Sequence, residues 1–208
     1  MSDRGRLISL EGGEGVGKST QVKALQAALM QRGIDCLVTR EPGGSPGAEA
    51  IRSLLLEGEE GRWSPAAEAL LFAAARADHV AKTIRPALDA GRWVLSDRFL
   101  DSSLAYQGAA GGLGIDRVRA LHDLGSGGFM PDRTLILRVD QGAQRARSRD
   151  IGGADRIGGR DPAYHAQVEL AFRQLAGEEP DRVRLIDASG TPDDVTARLI
   201  EAISDLLP

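Results

Sequence analysis

The chain has 208 residues, of which 42% are hydrophobic and 27% charged, and its net charge is −4. These values are ordinary for one globular domain, residues 1–208, with a core of its own, and they argue against a nucleic-acid-binding platform. The single cysteine, Cys36, excludes an internal disulfide, and no run approaches the ~18 apolar residues of a membrane span. We therefore expect a cytoplasmic protein with no nucleic-acid and no membrane partner.

The predicted elements alternate between strands and helices along the chain. Buried strands are predicted at residues 7–11, 36–39, 93–96, 134–139 and 183–186, and helices at 18–32, 46–57, 64–90, 162–176 and 192–207. This alternation is typical of a parallel sheet with helices on both faces. The expected fold class is therefore α/β, a three-layer fold with a five-stranded parallel sheet. Ligands of such folds bind outside the carboxyl ends of the strands.

The first predicted strand leads into a glycine-rich loop that fits the pattern G-x-x-x-x-G-K-[ST]. Backbone N–H groups of such a loop bind the phosphates of a nucleoside triphosphate, and the following helix points its positive end at them. Lys18 would reach the β- and γ-phosphates, and the Ser19 hydroxyl would bind Mg²⁺. The predicted ATP-binding residues are Gly12, Gly13, Glu14, Gly15, Val16, Gly17, Lys18, Ser19 and Thr20.

Two charged residues, Asp97 and Arg98, follow the third predicted strand. A carboxylate in this position commonly holds Mg²⁺, directly or through water, and a neighbouring arginine can bind a second phosphate in a bidentate manner. Taken alone, the pair is equally well interpreted as a salt bridge at the end of a strand.

The helix predicted at residues 64–90 has two different faces. Phe72 and Arg76 lie one turn apart on one face, an arrangement that suits a flat heterocycle. The alternative is a second packing face with a structural arginine, and we interpret His79 as a surface or packing residue. The other face is an apolar stripe that is expected to be buried, formed by Leu70, Ala73, Ala77, Val80, Ala81, Ile84 and Leu88.

An arginine-rich stretch with several glycines covers about residues 141–160. Phosphoryl transfer needs positive charge around the moving group, and a mobile segment that carries arginines would supply this charge and exclude water. With a phosphate loop upstream, we favour a small lid over the alternative, a solvated basic helix.

Several motifs resemble those of thymidylate kinase, and they extend over almost the whole chain. The phosphate loop alone would not choose among kinases, but the TREPGG and DR…AYQG blocks are far more specific. The resemblance implies a P-loop nucleoside-monophosphate-kinase-like fold that transfers the γ-phosphoryl of ATP to dTMP, with Mg²⁺, giving dTDP and ADP for dTTP biosynthesis. It also implies a homodimer. The matching segments are residues 11–20 (EGGEGVGKST), 39–44 (TREPGG), 72–76 (FAAAR), 97–98 (DR), 102–103 (SS), 105–108 (AYQG) and 131–132 (PD).

The same resemblance implies a role for each matching side chain. The thymine would be contacted by Phe72, Arg76, Ser103 and Gln107, the deoxyribose by Tyr106 and Glu14, and the acceptor phosphate by Arg98 and Arg52, with Glu41 closing the site. Ser19 and Asp97 would hold the metal. Family members without a basic residue inside the phosphate loop use arginines of the lid. Here residues 13–16 are GEGV, so the implied catalytic residues are Lys18, Arg98 and one or more of Arg147, Arg149 and Arg156.

Other functions make different demands on the sequence. A kinase for another nucleotide is the nearest alternative, and the hydrogen-bonding edge formed by Arg76, Ser103 and Gln107 decides between the two. A GTPase recognises guanine with an Asn-Lys-x-Asp motif, and this chain contains no asparagine. An ATPase without an acceptor would leave Arg52 and Arg98 unexplained.

Overall fold

The computed structural model describes residues 4–59, 61–139 and 156–208. A parallel sheet forms its centre, with the strand order β2-β3-β1-β4-β5. This confirms the predicted five-stranded parallel sheet. The strands are β1 (Leu7–Glu11), β2 (Cys36–Arg40), β3 (Trp93–Asp97), β4 (Arg133–Arg138) and β5 (Val183–Asp187).

Helices connect these strands and cover the sheet. The α-helices are α1 (Lys18–Met30), α2 (Pro46–Leu56), α3 (Pro65–His79), α4 (Arg85–Asp89), α5 (Leu100–Ser103), α6 (Ile115–Ser126), α7 (Pro162–Glu178) and α8 (Pro192–Ala202). Val80–Ile84 and Leu104–Ala110 are π-helical, and Ser204–Leu206 form a 3₁₀ turn. Within the described ranges, no helix has the length and apolar character that crossing a membrane requires.

Hydrophobic cores lie on both faces of the sheet. Leu7 of β1 belongs to the same buried cluster as Phe172 of α7. Ile8, the next residue of the strand, belongs to a second cluster with Leu25 of α1. Successive side chains of a strand point to opposite faces, so β1 contributes to both cores, and all of its residues are buried. The prediction of three layers is therefore confirmed.

The helix predicted at residues 64–90 differs from the structure in two ways. Its helical path is interrupted by the π-helical segment Val80–Ile84 between α3 and α4. The predicted buried stripe is also wrong at Leu70, which is 55% exposed, and at Ala81, which is exposed, whereas Arg76 is buried. Val80, Ile84 and Leu88 are buried as predicted, and Arg76 can be buried because Glu41 and Ser103 bind its guanidinium.

The parallel register brings the carboxyl ends of the central strands to one edge of the sheet. Leu10 of β1 pairs with Asp97 of β3, and Glu11 pairs with Ile136 of β4. The loop after β1 and the turn after β3 therefore meet at this edge, where the sequence predicts the ligand site.

Candidate active site

The phosphate loop forms the connection between β1 and α1. Its glycines Gly12, Gly15 and Gly17 all have positive φ angles, which side chains rarely adopt. A Cβ atom on Gly12 would lie 2.5 Å from the carbonyl oxygen of Leu137, so only glycine fits at that position. The sequence motif thus has the strand–loop–helix context that the prediction required.

The Lys18 side chain folds back onto this loop. Its Nζ donates hydrogen bonds to the carbonyl oxygens of Gly12, at 3.1 Å, and Gly13, at 2.7 Å. Burial, together with the positive charge of Arg98, lowers the pKa of Lys18 to about 7. A phosphate anion in the loop would oppose both effects, because opposite charge favours the ammonium form.

Ser19 and Asp97, the two predicted metal ligands, lie together. The Ser19 hydroxyl donates a hydrogen bond of 2.9 Å to Asp97 Oδ2. Mg²⁺ prefers oxygen ligands, and in phosphate-binding sites it takes one or two from the protein and the rest from phosphates and water. A hydroxyl and a carboxylate beside the phosphate loop fit this requirement.

The turn after β3 places Arg98 between the phosphate loop and the cavity that is described below. Arg98 has a φ of +73°, the left-handed conformation that non-glycine residues rarely adopt. Its Nη1 donates to Ser102 Oγ at 3.0 Å, and its Nη2 lies 3.4 Å from the hydroxyl of Tyr106. The guanidinium therefore has a defined orientation where a second phosphate could bind.

A buried carboxyl group, Glu11, supports this turn from below. Its Oε1 accepts a 2.7 Å hydrogen bond from the backbone N–H of Phe99, and its Oε2 accepts one from the Ser102 hydroxyl. Burial and the nearby charge of Asp101 raise the pKa of Glu11 to about 8. Glu11 thus holds the backbone on the carboxyl side of Arg98.

Arg76 is held by partners from two other parts of the chain, the loop after β2 and helix α5. Its Nε donates to Glu41 Oε2 at 2.7 Å, and its Nη2 donates to Ser103 Oγ at 2.8 Å. Burial alone would raise the pKa of Glu41, but the charge of Arg76 and the hydrogen bond with His79 outweigh it and lower that pKa. Glu41 therefore forms a buried ion pair with Arg76.

His79 belongs to the same buried group. Its Nδ1 lies 3.0 Å from Glu41 Oε1, and its Nε2 lies 2.7 Å from Thr39 Oγ1. The side chain is fully buried. The structure therefore favours a packing role for His79 over a surface position. Its ring connects Thr39 of β2 with Glu41, the residue that holds Arg76.

A cavity lies between α3, the turn after β3 and the loop after β2. All of the side chains that the sequence predicts around dTMP line it: Glu14, Glu41, Arg52, Phe72, Arg76, Arg98, Ser103, Tyr106 and Gln107. The sequence did not indicate five further lining residues: Pro42, Leu56, Phe99, Ser102 and Ile157. Of these, Pro42 and Ser102 carried a signal, because they stand in the matching segments TREPGG and SS.

The lid arginines are only partly described. Arg147 and Arg149 lie outside the described residues. Arg156 is buried, and it donates from Nη2 to Glu68 Oε2 at 2.7 Å and from Nε to the carbonyl oxygen of Leu55 at 2.9 Å. In this structure, therefore, Arg156 contacts Glu68 of α3 and the end of α2.

A phosphate loop beside an arginine-containing cavity defines a phosphotransferase of the nucleoside-monophosphate-kinase class. The family model described as "Thymidylate kinase" matches residues 10–199. The chain belongs to the thymidylate kinase family.

Individual relatives agree with this assignment. A thymidylate kinase of Rhizorhabdus wittichii is 63% identical over 206 residues, which cover 98% of this chain and 99% of that protein. A thymidylate kinase of Caulobacter vibrioides is 49% identical over 206 residues, with 98% and 96% covered. The crystal structure of thymidylate kinase from Ehrlichia chaffeensis superposes with a TM-score of 0.79 at 28% identity, covering 96% of this chain and 99% of that one. Members of the family phosphorylate dTMP to dTDP with ATP, and this chain is a phosphotransferase of that kind.

Proposed function

We propose that the chain binds ATP on the phosphate loop and dTMP in the neighbouring cavity, so that the two phosphates meet between Lys18 and Arg98. The observation that carries this proposal is the position of Glu14 and Arg98. Both line the cavity, and both act electrostatically on Lys18. The donor and acceptor sites are therefore continuous, as direct transfer between two bound nucleotides requires.

The acceptor nucleotide would lie with its base towards α3. Phe72 offers an aromatic face for stacking, and Arg76, Ser103 and Gln107 offer polar groups around the edge of the ring. The remaining lining residues would contact the sugar and phosphate: Tyr106 and Glu14 the deoxyribose, Arg52 and Arg98 the phosphate, with Glu41 closing the cavity and holding Arg76.

The triphosphate of ATP would lie on the backbone N–H groups of residues 12–20, with Lys18 at its β- and γ-phosphates. Mg²⁺ would be held by Ser19 and Asp97, whose oxygens already lie 2.9 Å apart. When bound, the ion neutralises negative charge on the phosphates.

Catalysis would depend on alignment and charge and would need no strong general base. A phosphate monoester is already largely ionised near pH 7, so the attacking oxygen carries charge when it binds. Arg98 would orient this group while Lys18 stabilises the charge on the transferred phosphoryl. Arg147, Arg149 and Arg156 stay proposals as lid residues, and Arg156 would have to leave Glu68 in order to reach the phosphates.

A homodimer located in the cytoplasm is part of the same proposal. Family membership supports it, and exposed leucines on α2, α3 and α6 offer a surface on which two copies could associate.

The test is an assay of ADP release with ATP and Mg²⁺ against dTMP, dUMP, UMP, CMP, AMP, GMP and thymidine. We expect release that depends on dTMP above all the others, and we expect Lys18→Ala to lose most of the activity while it keeps a native circular dichroism spectrum. Release with a different preferred acceptor would contradict the proposed base contacts. Release that needs no acceptor would contradict the acceptor site altogether.

A further inference from the structure

Glu68 is a buried carboxylate beside the cavity, and the mechanism above gives it no role. It lies on α3, one turn before Phe72 and two turns before Arg76, so it shares a helix face with these residues. Its side chain is only 3% exposed. A buried charge of this kind is kept in folded proteins only with close partners.

Three side chains surround the Glu68 carboxylate. Its Oε2 accepts hydrogen bonds of 2.7 Å from Nη2 of Arg156 and of 2.7 Å from Nη2 of Arg160. Its Oε1 accepts a 3.0 Å hydrogen bond from Nε2 of Gln107. Both arginines contact one oxygen of the carboxylate, so the other oxygen is the one that faces Gln107.

The contact with Glu68 determines which way the Gln107 amide faces. An ionised carboxylate only accepts hydrogen bonds, so Gln107 must turn its NH₂ group towards Glu68. The carbonyl oxygen Oε1 is then the atom that the amide can offer to the cavity, which Gln107 lines. Without Glu68, the amide could rotate by half a turn and offer its NH₂ group to the cavity instead.

We propose that Glu68 is a positioning residue for base selection: it keeps Gln107 Oε1 as a hydrogen-bond acceptor towards the base. This inference rests on the proposed acceptor site. Thymine and uracil carry a donor, the N3–H group, on the edge between their two carbonyls, whereas cytosine carries an acceptor there. A fixed acceptor on the protein therefore favours dTMP and dUMP and rejects dCMP, because two acceptors would face each other.

Arg160 contributes to the same arrangement from the other side. Its guanidinium lies 4.6 Å from the ring centroid of Tyr164, and the Tyr164 hydroxyl donates to the carbonyl oxygen of Tyr106 at 2.7 Å. Arg160 is thus held between Glu68 and α7, next to the segment that carries Gln107. The orientation of one amide therefore depends on α3, α7 and the turn that contains Arg156.

The test compares the wild-type enzyme with Glu68→Gln, using dTMP, dUMP and dCMP as acceptors at saturating ATP. In the variant, we expect the ratio of kcat/KM for dTMP to that for dCMP to fall about tenfold or more, because Gln107 gains a second orientation. The ratio of dTMP to dUMP is expected to stay at its wild-type value, because both bases carry the N3–H donor. Where dCMP turnover is too slow, the ratio of Kd values from calorimetry replaces it.

The matched control is Glu178→Gln. Glu178 makes the same kind of contact, accepting a 2.7 Å hydrogen bond from Nε2 of Gln174, but the pair is exposed on α7. We expect this variant to keep the wild-type selectivity. If Glu68→Gln does not fold, Glu68→Asp takes its place, since it keeps the negative charge between the arginines but is too short to reach Gln107 as well.

A double-mutant cycle with Gln107→Ala tests whether Glu68 acts through Gln107. We expect Glu68→Gln to cause no further change in selectivity in that background. An unchanged ratio of dTMP to dCMP in the folded Glu68 variants, or the same change without Gln107, would overturn the role of Glu68. A wild-type enzyme that fails to phosphorylate dTMP would refute the proposed function itself, which is a separate result.

Discussion

Lys18 lies with its ammonium group buried in the phosphate loop, and this burial, with the charge of Arg98, lowers its pKa to about 7. Bound triphosphate favours the charged form, so the pKa of Lys18 is higher in the complex than in the free protein. The charged fraction of the free protein falls as the pH rises through 7. Between the two pKa values, ATP binding therefore takes up a proton, and we expect the affinity for ATP to fall by up to about tenfold per pH unit above pH 7.

Calorimetry at pH 7, 8 and 9, in buffers of different ionisation enthalpy, measures both the affinity and the proton uptake. Lys18→Arg is the matched control, because a guanidinium stays charged over this range. We expect the variant to bind more weakly at pH 7 and to lose most of the pH dependence. A wild-type affinity that is constant from pH 7 to 9 would contradict the buried position of the Lys18 ammonium.

At the scale of elements, Glu11 connects the end of β1 with the first residues after β3. Its pKa is about 8 in the folded protein, against an ordinary value of 4.5, because it is buried and lies near Asp101. Between these two values the folded state holds a proton that the unfolded state has lost. The free energy of unfolding therefore decreases as the pH rises through this window, and the loss is complete above the folded pKa.

Glu11→Gln removes this titration and can keep both hydrogen bonds, with the amide oxygen accepting from Phe99 and the NH₂ group donating to Ser102. We expect the Tm at pH 8 to rise by about 4 °C or more, given a shift of about 2–4 °C per kcal/mol for a chain of this size. At pH 4.5 the two proteins should melt alike. The control is Glu201→Gln on the exposed side of α8. An equal gain at both pH values would show that ionisation is not its cause.

The elements also differ in how far their sequences predict them. Runs of apolar residues identified all five strands. The central strands β1, β3 and β4 are buried almost throughout and so have no polar side, whereas the edge strands β2 and β5 are partly exposed. The helices at Leu100–Ser103 and Ile115–Ser126 were not predicted. The buried face of the second includes His122 and Ser126 beside Val118, so its apolar periodicity is weak.

The residues in and around the cavity also differ in how far the sequence predicts them. Phe72, Arg76 and Gln107 were predicted from local motifs, and they line the same cavity. Glu68 was not predicted, because its partners come from distant parts of the chain, such as Arg156, which is 88 positions away. A buried carboxylate looks like a surface residue in sequence until its partners are known. Polar residues whose role is to position other side chains can therefore be identified only from the structure.

At the scale of the whole molecule, the helices α2, α3 and α6 pack side by side, and each exposes a leucine. Leu54 is 41% exposed, Leu70 55% and Leu124 87%. Single exposed leucines are common on monomers, but three of them on helices that pack together make this side of the molecule a candidate for association. We expect the surface of these three helices to form the contact between the two copies of the proposed homodimer.

Leu70→Glu would place a charge in the centre of this surface, where it would lose water without gaining a partner. We expect sedimentation velocity to show a dimer for the wild type and a monomer for Leu70→Glu. Leu170→Glu is the matched control: Leu170 is 59% exposed, similar to Leu70, but it lies on α7 and should leave the dimer intact. A wild-type monomer at all concentrations would contradict the proposed dimer. If the dimer survives Leu70→Glu, or if Leu170→Glu disrupts it as well, the proposed contact surface on α3 is wrong.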